Sequence, residues 1–301
     1  MPAIIDATTL LDINCIDTAV EEDRQQLSLV HEQFWAGVDE MKLLLQDGAI
    51  LFCPTSFGKD SSITLLMALE AQRQMLVAGH IQPDHPLISS TVNTNMEAIP
   101  MVMFQEYAKK RLLAYAQLHG INLKHEIVSP TLNDDYFIRF VGAQKLISNS
   151  SRNGDCSVIL KIKPSEAFVK TIIEQYPGKN VICILGSRKM EGNRRTSNMS
   201  KQGIAKKTID DIRSELSSVA LGKVQLLNFA PIRDWATDQV FDLLRIAGSK
   251  PLRKTNLHIP AFLNDFGLLL EIYGNGGSES CSVSVGQTSG EIGRASCREK
   301  V

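Results

Sequence analysis

Ser56, Phe57, Gly58, Lys59, Asp60, Ser61 and Ser62 stand between an apolar run, Ala49 to Cys53, and a stretch with helical periodicity. A loop that leaves a strand and enters a helix presents unpaired backbone N–H groups and the positive end of the helix dipole. Gly58 lets the backbone approach an anion closely. Lys59 adds a positive charge, and Ser56, Ser61 and Ser62 add hydroxyl donors. Asp60 suits a Mg2+ ion held against phosphate oxygens. The set fits a polyphosphate. It is not a Walker A loop, which needs two glycines at wider spacing followed by Lys and Ser or Thr. The same residues also fit a plainer role, in which Ser and Asp only cap the helix.

Other candidates lie further along. Gly186 follows an apolar run, which places Ser187, Arg188 and Lys189 at the carboxyl end of a sheet, where open α/β folds bind ligands. From Arg188 to Lys207 the chain carries Arg188, Lys189, Arg194, Arg195, Lys201, Lys206 and Lys207 against Glu191 alone. Such a segment suits pyrophosphate or a nucleic-acid backbone, or is a solvated cationic loop. Lys161 and Lys163 alternate with Ile162, so an extended segment would point both to one side, toward phosphates or toward solvent. Asp234 and Trp235 open a helix and suit capping and packing, with Asp234 or Thr237 at the cap. Cys53 and Cys183 sit in apolar runs and read as core thiols, whereas Cys156 is either a structural or a reactive thiol.

The elements that must position these groups alternate. Helices are predicted at Thr18 to Gln46, Asp60 to Ala78, Ile99 to His119, Pro164 to Tyr176, Ile209 to Val219 and Trp235 to Ala247. Strands are predicted at Ala49 to Cys53, Pro86 to Val92, Asn122 to Val128, Val181 to Leu185 and Val224 to Phe229. Alternation of this kind implies an α/β fold, a parallel twisted sheet with helices on both faces. The expected organisation is an N-terminal helical segment over 1–47, a nucleotide-binding α/β domain over 48–250, and the start of an incomplete C-terminal region over 251–290.

The chain is 44% hydrophobic and carries a net charge of −1, so a core is affordable and no global basic excess marks a free-standing nucleic-acid binder. Six scattered cysteines without a CxxC pair argue against a disulfide scaffold. No apolar run spans a bilayer and the start lacks a signal-peptide pattern, so a cytoplasmic location without membrane contact is expected.

Ser56 to Ser62 resembles the S-G-G-x-D-S loop (PP-loop) of the ATP pyrophosphatase superfamily, with Phe57 in place of the second Gly. Cys156 to Pro164 is similar to the cysteine and KIKP segment of the phosphoadenosine phosphosulfate (PAPS) reductase-like proteins of DNA phosphorothioation, the DndC or SspD type. Ser157, Val158 and Ile159 replace that family's Thr-Asp-Arg. Ile184 to Arg195, Pro231 to Val240, and Asn93 to Glu97 resemble three further blocks in the same order. The resemblance implies the adenine nucleotide alpha hydrolase-like fold and cleavage of ATP between its α and β phosphates. It implies catalytic roles for Lys59, Asp60 and Arg188, with Asp60 holding Mg2+. It implies cofactor contacts from Ser56, Phe57, Gly58, Ser61, Ser62, Asn93, Lys161, Lys163, Gly186, Ser187, Arg194 and Arg195. The implied substrate is a DNA backbone phosphate, activated with ATP for replacement of oxygen by sulfur. The implied partners are proteins of the modification complex and a cysteine desulfurase as sulfur donor. Tyr273 to Cys281 is similar to the segment before the family's iron–sulfur cysteines, which implies Cys281 as one ligand of a 4Fe–4S cluster in a full-length protein. Two alternatives stay open: a thioredoxin-dependent PAPS reductase, although Ser280-Cys281-Ser282 lacks its Glu-Cys-Gly, and a non-catalytic nucleotide-binding subunit.

Glu291 to Val301 resembles the translation of a common short-read sequencing adapter, from which only Lys300 departs. The expectation is that 291–301 is foreign to the fold and that the natural protein continues past Gly290.

Overall fold

The computed structural model describes residues 13–145, 155–191, 204, 207–218 and 226–275. Five strands form one parallel sheet: β1 (Ile50–Pro54), β2 (Pro86–Val92), β3 (Asn122–Val128), β4 (Val181–Ile184) and β5 (Leu226–Phe229). Their order is β3-β2-β1-β4-β5. The chain steps outward from β1 to β3 and then returns to the other side of β1. That reversal opens a crevice at the carboxyl ends of β1 and β4. β1 is central and covered on both faces, which is why Ile50, Leu51, Phe52 and Cys53 are all apolar and buried.

One face carries most of the helices. The helix α1 (Ile13–Gln46) buries Leu27, Val30, Phe34, Val38, Met41 and Leu45, at three- and four-residue spacing, and Gly48 closes it at φ 77°. The next, α2 (Lys59–Val77), is buried on nearly every side because it lies between the sheet and α1. Its one deep carboxylate, Glu70, is met by Arg73 at 2.6 and 2.8 Å and by Gln74 at 2.8 Å. The same core takes Phe104, Ala108 and Leu112 of α3 (Ile99–Leu118) and Val240, Leu243 and Leu244 of α6 (Thr237–Ile246). It also takes Ile259, Phe262, Leu263 and Phe266, which lead into α7 (Gly267–Asn275). The opposite face is covered by α4 (Lys163–Gln175), whose Phe168, Val169 and Ile172 pack on Ile50, Phe52, Ile88, Val181 and Cys183. Ile212 and Leu216 of α5 (Ile209–Ser218) join the larger core. Helices on both faces of a parallel sheet are as expected. No helix among the described residues is long and apolar enough to cross a membrane.

Two local expectations are corrected. Lys161 and Lys163 do not lie on an extended segment: Val158–Ile162 forms a π-helical turn that runs into α4. Ile159 and Leu160 are adjacent and both buried with Phe140, an arrangement that a strand would split between opposite faces. Pro164 in the first turn also favours the helix. In α6 the start is Thr237 rather than Trp235, and neither Asp234 nor Thr237 caps it. Gln239 Oε1 accepts the Ala236 N–H at 2.7 Å instead, while Asp234 and Thr237 are taken by Lys189 and Arg188.

Phe34 is fully buried in the core that α1 shares with α2. Phe34→Ala is expected to lower stability by about 3–5 kcal/mol, read as a lower urea midpoint with an unchanged slope. A midpoint equal to that of the wild-type chain would mean that α1 is not integral to the fold.

Candidate functional site

The loop Thr55 to Gly58 leaves β1 at the sheet's reversal and enters α2. Its shape is held from within. Ser61 Oγ lies 3.3 Å from the Ser56 N–H, 3.4 Å from the Ser56 and Thr55 hydroxyls, and donates to the Gly58 carbonyl at 3.2 Å. Thr55 Oγ1 accepts the Phe57 N–H at 3.0 Å. Phe57, at φ 55°, is left-handed, a conformation that a bulky residue rarely adopts. Strain of this kind costs about 1–3 kcal/mol. Burial of the ring, 1% exposed against His125 and Phe262, returns about 1.5–3 kcal/mol. The two magnitudes match, so a phenylalanine can hold the place where the resembled family has glycine.

Asp60 is the electrostatic centre. Lys59 Nζ lies 3.0 Å from its Oδ2, and Arg188 Nε lies 2.5 Å from its Oδ1. Lys59 is 2% exposed and Arg188 is fully buried. Arg188 also donates to Thr237 Oγ1 at 3.1 Å and to the Trp235 carbonyl at 3.4 Å, which ties the exit of β4 to the start of α6. The close approach depends on Gly186: a Cβ there would lie 3.0 Å from the Asp60 carbonyl carbon and 3.0 Å from the Ser61 nitrogen. Two cations thus meet one carboxylate at the N-terminus of α2, whose first-turn amides and dipole suit a polyanion.

Lys59, Asp60, Gly186 and Arg188, far apart in sequence, are thus brought together. Ser56 is exposed at the rim, Ser61 is half-buried, and Ser62 is buried with its hydroxyl unpartnered among the described residues. Asn93 lies beyond β2, accepts the Asn95 N–H at 3.0 Å and lines a small cavity with Phe57, Thr91 and His125. Lys161 lies 3.8 Å from Glu97 and Lys163 3.7 Å from Asp134. Lys189 pairs with Asp234 at 2.5 Å. Although partial burial pushes the Asp234 carboxyl up, hydrogen bonds from Lys189 and Arg233 carry it below the usual range. Cys53 and Cys183 are buried, and desolvation pushes both thiols up, Cys183 to about 12. Cys156 is exposed. Arg194, Arg195, Cys281 and the segment 291–301 lie outside the described residues, among which no group of three His, Cys, Asp or Glu side chains suits a metal ion.

The sequence reading missed two groups. Tyr273 of α7 lays its hydroxyl 3.4 Å from the Lys59 N–H, and its ring centroid is 5.0 Å from Lys59 Nζ. A Cβ on Gly58 would sit 2.7 Å from that hydroxyl, so Gly58 is small to admit a phenol as well as an anion. Gln105 of α3 donates to the Ser56 carbonyl at 3.0 Å. Tyr273 is 214 positions from Lys59, and no local pattern signals the contact.

Burial pushes the His125 imidazole down from 6.5 to about 4, with Lys109 acting in the same direction and Glu106 against it. The folded state then binds fewer protons than the unfolded state. The stability linked to His125 is full above pH 6.5 and lost as pH falls toward about 4. His125→Gln is expected to flatten the slope of unfolding free energy in that window. An unchanged slope, or an NMR-titrated His125 near 6.5, would contradict the burial seen here.

The family model for the phosphoadenosine phosphosulfate reductase domain matches residues 50–252. No curated protein matches the chain. Among solved structures, the U34-tRNA thiolase NcsA from Methanococcus maripaludis, solved with its 4Fe–4S cluster, is similar at 14% identity with a TM-score of 0.38. The alignment covers 70% of this chain and 63% of that one, less than two thirds of the thiolase. The family match runs from the first residue of β1 past the end of α6 and takes in the whole Lys59–Asp60–Arg188 cluster. The chain belongs to the phosphoadenosine phosphosulfate reductase domain family.

Proposed function

We propose that the chain is an ATP pyrophosphatase that activates a DNA backbone phosphate for replacement of oxygen by sulfur. The observation that carries the reading is the cationic cluster around Asp60, set at the sheet's reversal under the N-terminus of α2. Family membership supports nucleotide chemistry at that site. The order of the sequence blocks that resemble phosphorothioation proteins supports the DNA acceptor.

In this reading the triphosphate lies against the amides of Ser56 to Ser62. As the bond between the α and β phosphates breaks, negative charge grows on the departing pyrophosphate, and Lys59 with the first-turn amides offsets it. Arg188 is fully buried and donates to Asp60, so in this reading it fixes the carboxylate in place. The acceptor oxygen takes the adenylyl group as pyrophosphate departs. The persulfide of a cysteine desulfurase then attacks the activated phosphorus and AMP leaves. A second thiol cleaves the resulting S–S bond, which leaves the sulfur on phosphorus and the two thiols as a disulfide. Both Asp60 oxygens already face cations, so Asp60 alone is a poor site for bare Mg2+. Asp60 would hold such an ion only together with the triphosphate, and the ion would supply charge neutralisation at the leaving group. An iron–sulfur cluster is proposed only for a longer chain containing Cys281, and the adenylation step does not use it.

Full-length protein with Mg2+ is expected to release pyrophosphate from ATP. Asp60→Asn keeps the side-chain volume and is expected to reduce the rate at least about 100-fold, with circular dichroism confirming the fold. Turnover within a few-fold of wild type in a folded Asp60→Asn protein would reject the site. The family match also favours a second reading, reduction of PAPS itself. Release of sulfite from PAPS with thioredoxin, and none of pyrophosphate from ATP, would select it. Tight ATP binding without turnover would select a nucleotide-binding subunit.

A further inference from the structure

Among the described residues β3 is an edge strand, paired only with β2. No strand of the described residues lies beyond β3. The Asn93 N–H donates to the Val128 carbonyl at 2.8 Å, so Val128 turns its backbone groups toward β2. By alternation Glu126 and Lys124 do the same, while Ile127, His125 and Leu123 direct theirs to the open edge. The Leu123 N–H is satisfied locally by the Ile121 carbonyl at 2.8 Å. The middle of the outward row is therefore His125.

We propose that this edge pairs, antiparallel, with the same edge of a second copy of the chain, about a twofold axis at His125. The sequence Asn122-Leu123-Lys124-His125-Glu126-Ile127-Val128 is complementary to its own reverse. In this register Leu123 of one copy opposes Ile127 of the other, and Lys124 opposes Glu126. The central His125 pair exchanges backbone hydrogen bonds, and Lys124 and Glu126 fall at non-hydrogen-bonded positions, where opposite side chains come closest. Each ion pair occurs twice, as an isologous interface requires. Other registers are disfavoured. Centring on Lys124 or Glu126 sets like charges face to face, and their backbone groups point the wrong way. Centring on Leu123 or Ile127 loses both ion pairs.

The surroundings agree. Glu126 is exposed and Lys124 half-buried, with its ammonium 5.1 Å from the Tyr176 ring centroid. Ile127 and Leu113, 45% and 43% exposed, border the groove of about 930 Å3 that runs along this strand. Natural edge strands are commonly guarded by a proline, a bulge or an unanswered lysine. β3 has no proline, and its one lysine is answered by Glu126. The half-buried imidazole of His125 is neutral near pH 7 and brings no repulsion to the axis.

Sedimentation velocity of the intact chain over a range of concentrations tests this. A monomer–dimer equilibrium is expected. Glu126→Lys, at an exposed position, replaces two attractions by two repulsions and is expected to raise the dimer dissociation constant about tenfold. Lys124→Glu is expected to do the same. The exchange variant Lys124→Glu/Glu126→Lys restores both pairs and is expected to return the constant to within about threefold of wild type. A chain that stays monomeric at all concentrations would overturn the proposal. So would a dimer indifferent to the single reversals, or a folded exchange variant that fails to recover it.

Discussion

A single carboxylate fixes the geometry of this protein's candidate site. Asp60 faces Lys59 on one oxygen and Arg188 on the other, and both cations are almost wholly buried. An unpaired buried cation is costly, and that carboxylate offsets part of the cost for both. A buried ion pair adds little net stability over apolar packing, yet removing one partner costs about 3–5 kcal/mol. What the cluster supplies is position. It joins the first turn of α2, the exit of β4 and, through Thr237 and the Trp235 carbonyl, the start of α6. Gly186 is the steric condition, because only without a Cβ can the chain after β4 lie against the Asp60–Ser61 peptide.

The loop above this cluster is built from compensated tensions. Phe57 adopts a left-handed backbone that its side chain disfavours, and ring burial on His125 and Phe262 offsets the strain. Gly58 gives up its side chain to admit the Tyr273 hydroxyl, and the Tyr273 ring lies under the Lys59 ammonium. Phe262 and Tyr273 both come from the last part of the described chain. The loop's conformation therefore depends on residues two hundred positions downstream, and residues 259–275 are part of the core that shapes the site.

Much of this was legible in the sequence, because the signals were local. The C-terminal limit of α1 at Gln46 and the limits of β2 and β3 follow from periodicity and from the apolar runs. The loop after β1 stood out as a polar, glycine-containing break between a strand and a helix. Lys161 and Lys163 misled for the same reason: alternation in a short window reads as a strand, and only the joint burial of Ile159 and Leu160 shows the helix. Asp234 and Thr237 look like caps in isolation, but each is claimed by a cation from the β4 exit. Arg188 was recognisable as a site residue, yet its depth was not, because depth is set by the neighbours that close over it. Tyr273 and Gln105 were illegible, since only the folded chain places α7 and α3 beside the loop.

The sheet's composition follows from how few helices cover its second face. A helix with its side chains is roughly 10 Å across, and strands lie roughly 4.8 Å apart, so one helix covers about two strands. On that face α4 packs over Ile50 and Phe52 of β1 and over Val181 and Cys183 of β4, and it reaches β2 only at Ile88. α4 meets β3, one strand further out, across a groove rather than in close packing, with Lys124 Nζ 5.1 Å from the Tyr176 ring centroid at its end. Lys124 and Glu126 line that groove, whereas Leu123, on the other face, packs against the larger core. The continuous apolar run of β1 and the charged alternation of β3 are thus two results of the same spacing. A single α4 both buries the strand that carries the loop and leaves charged side chains along the strand at the edge.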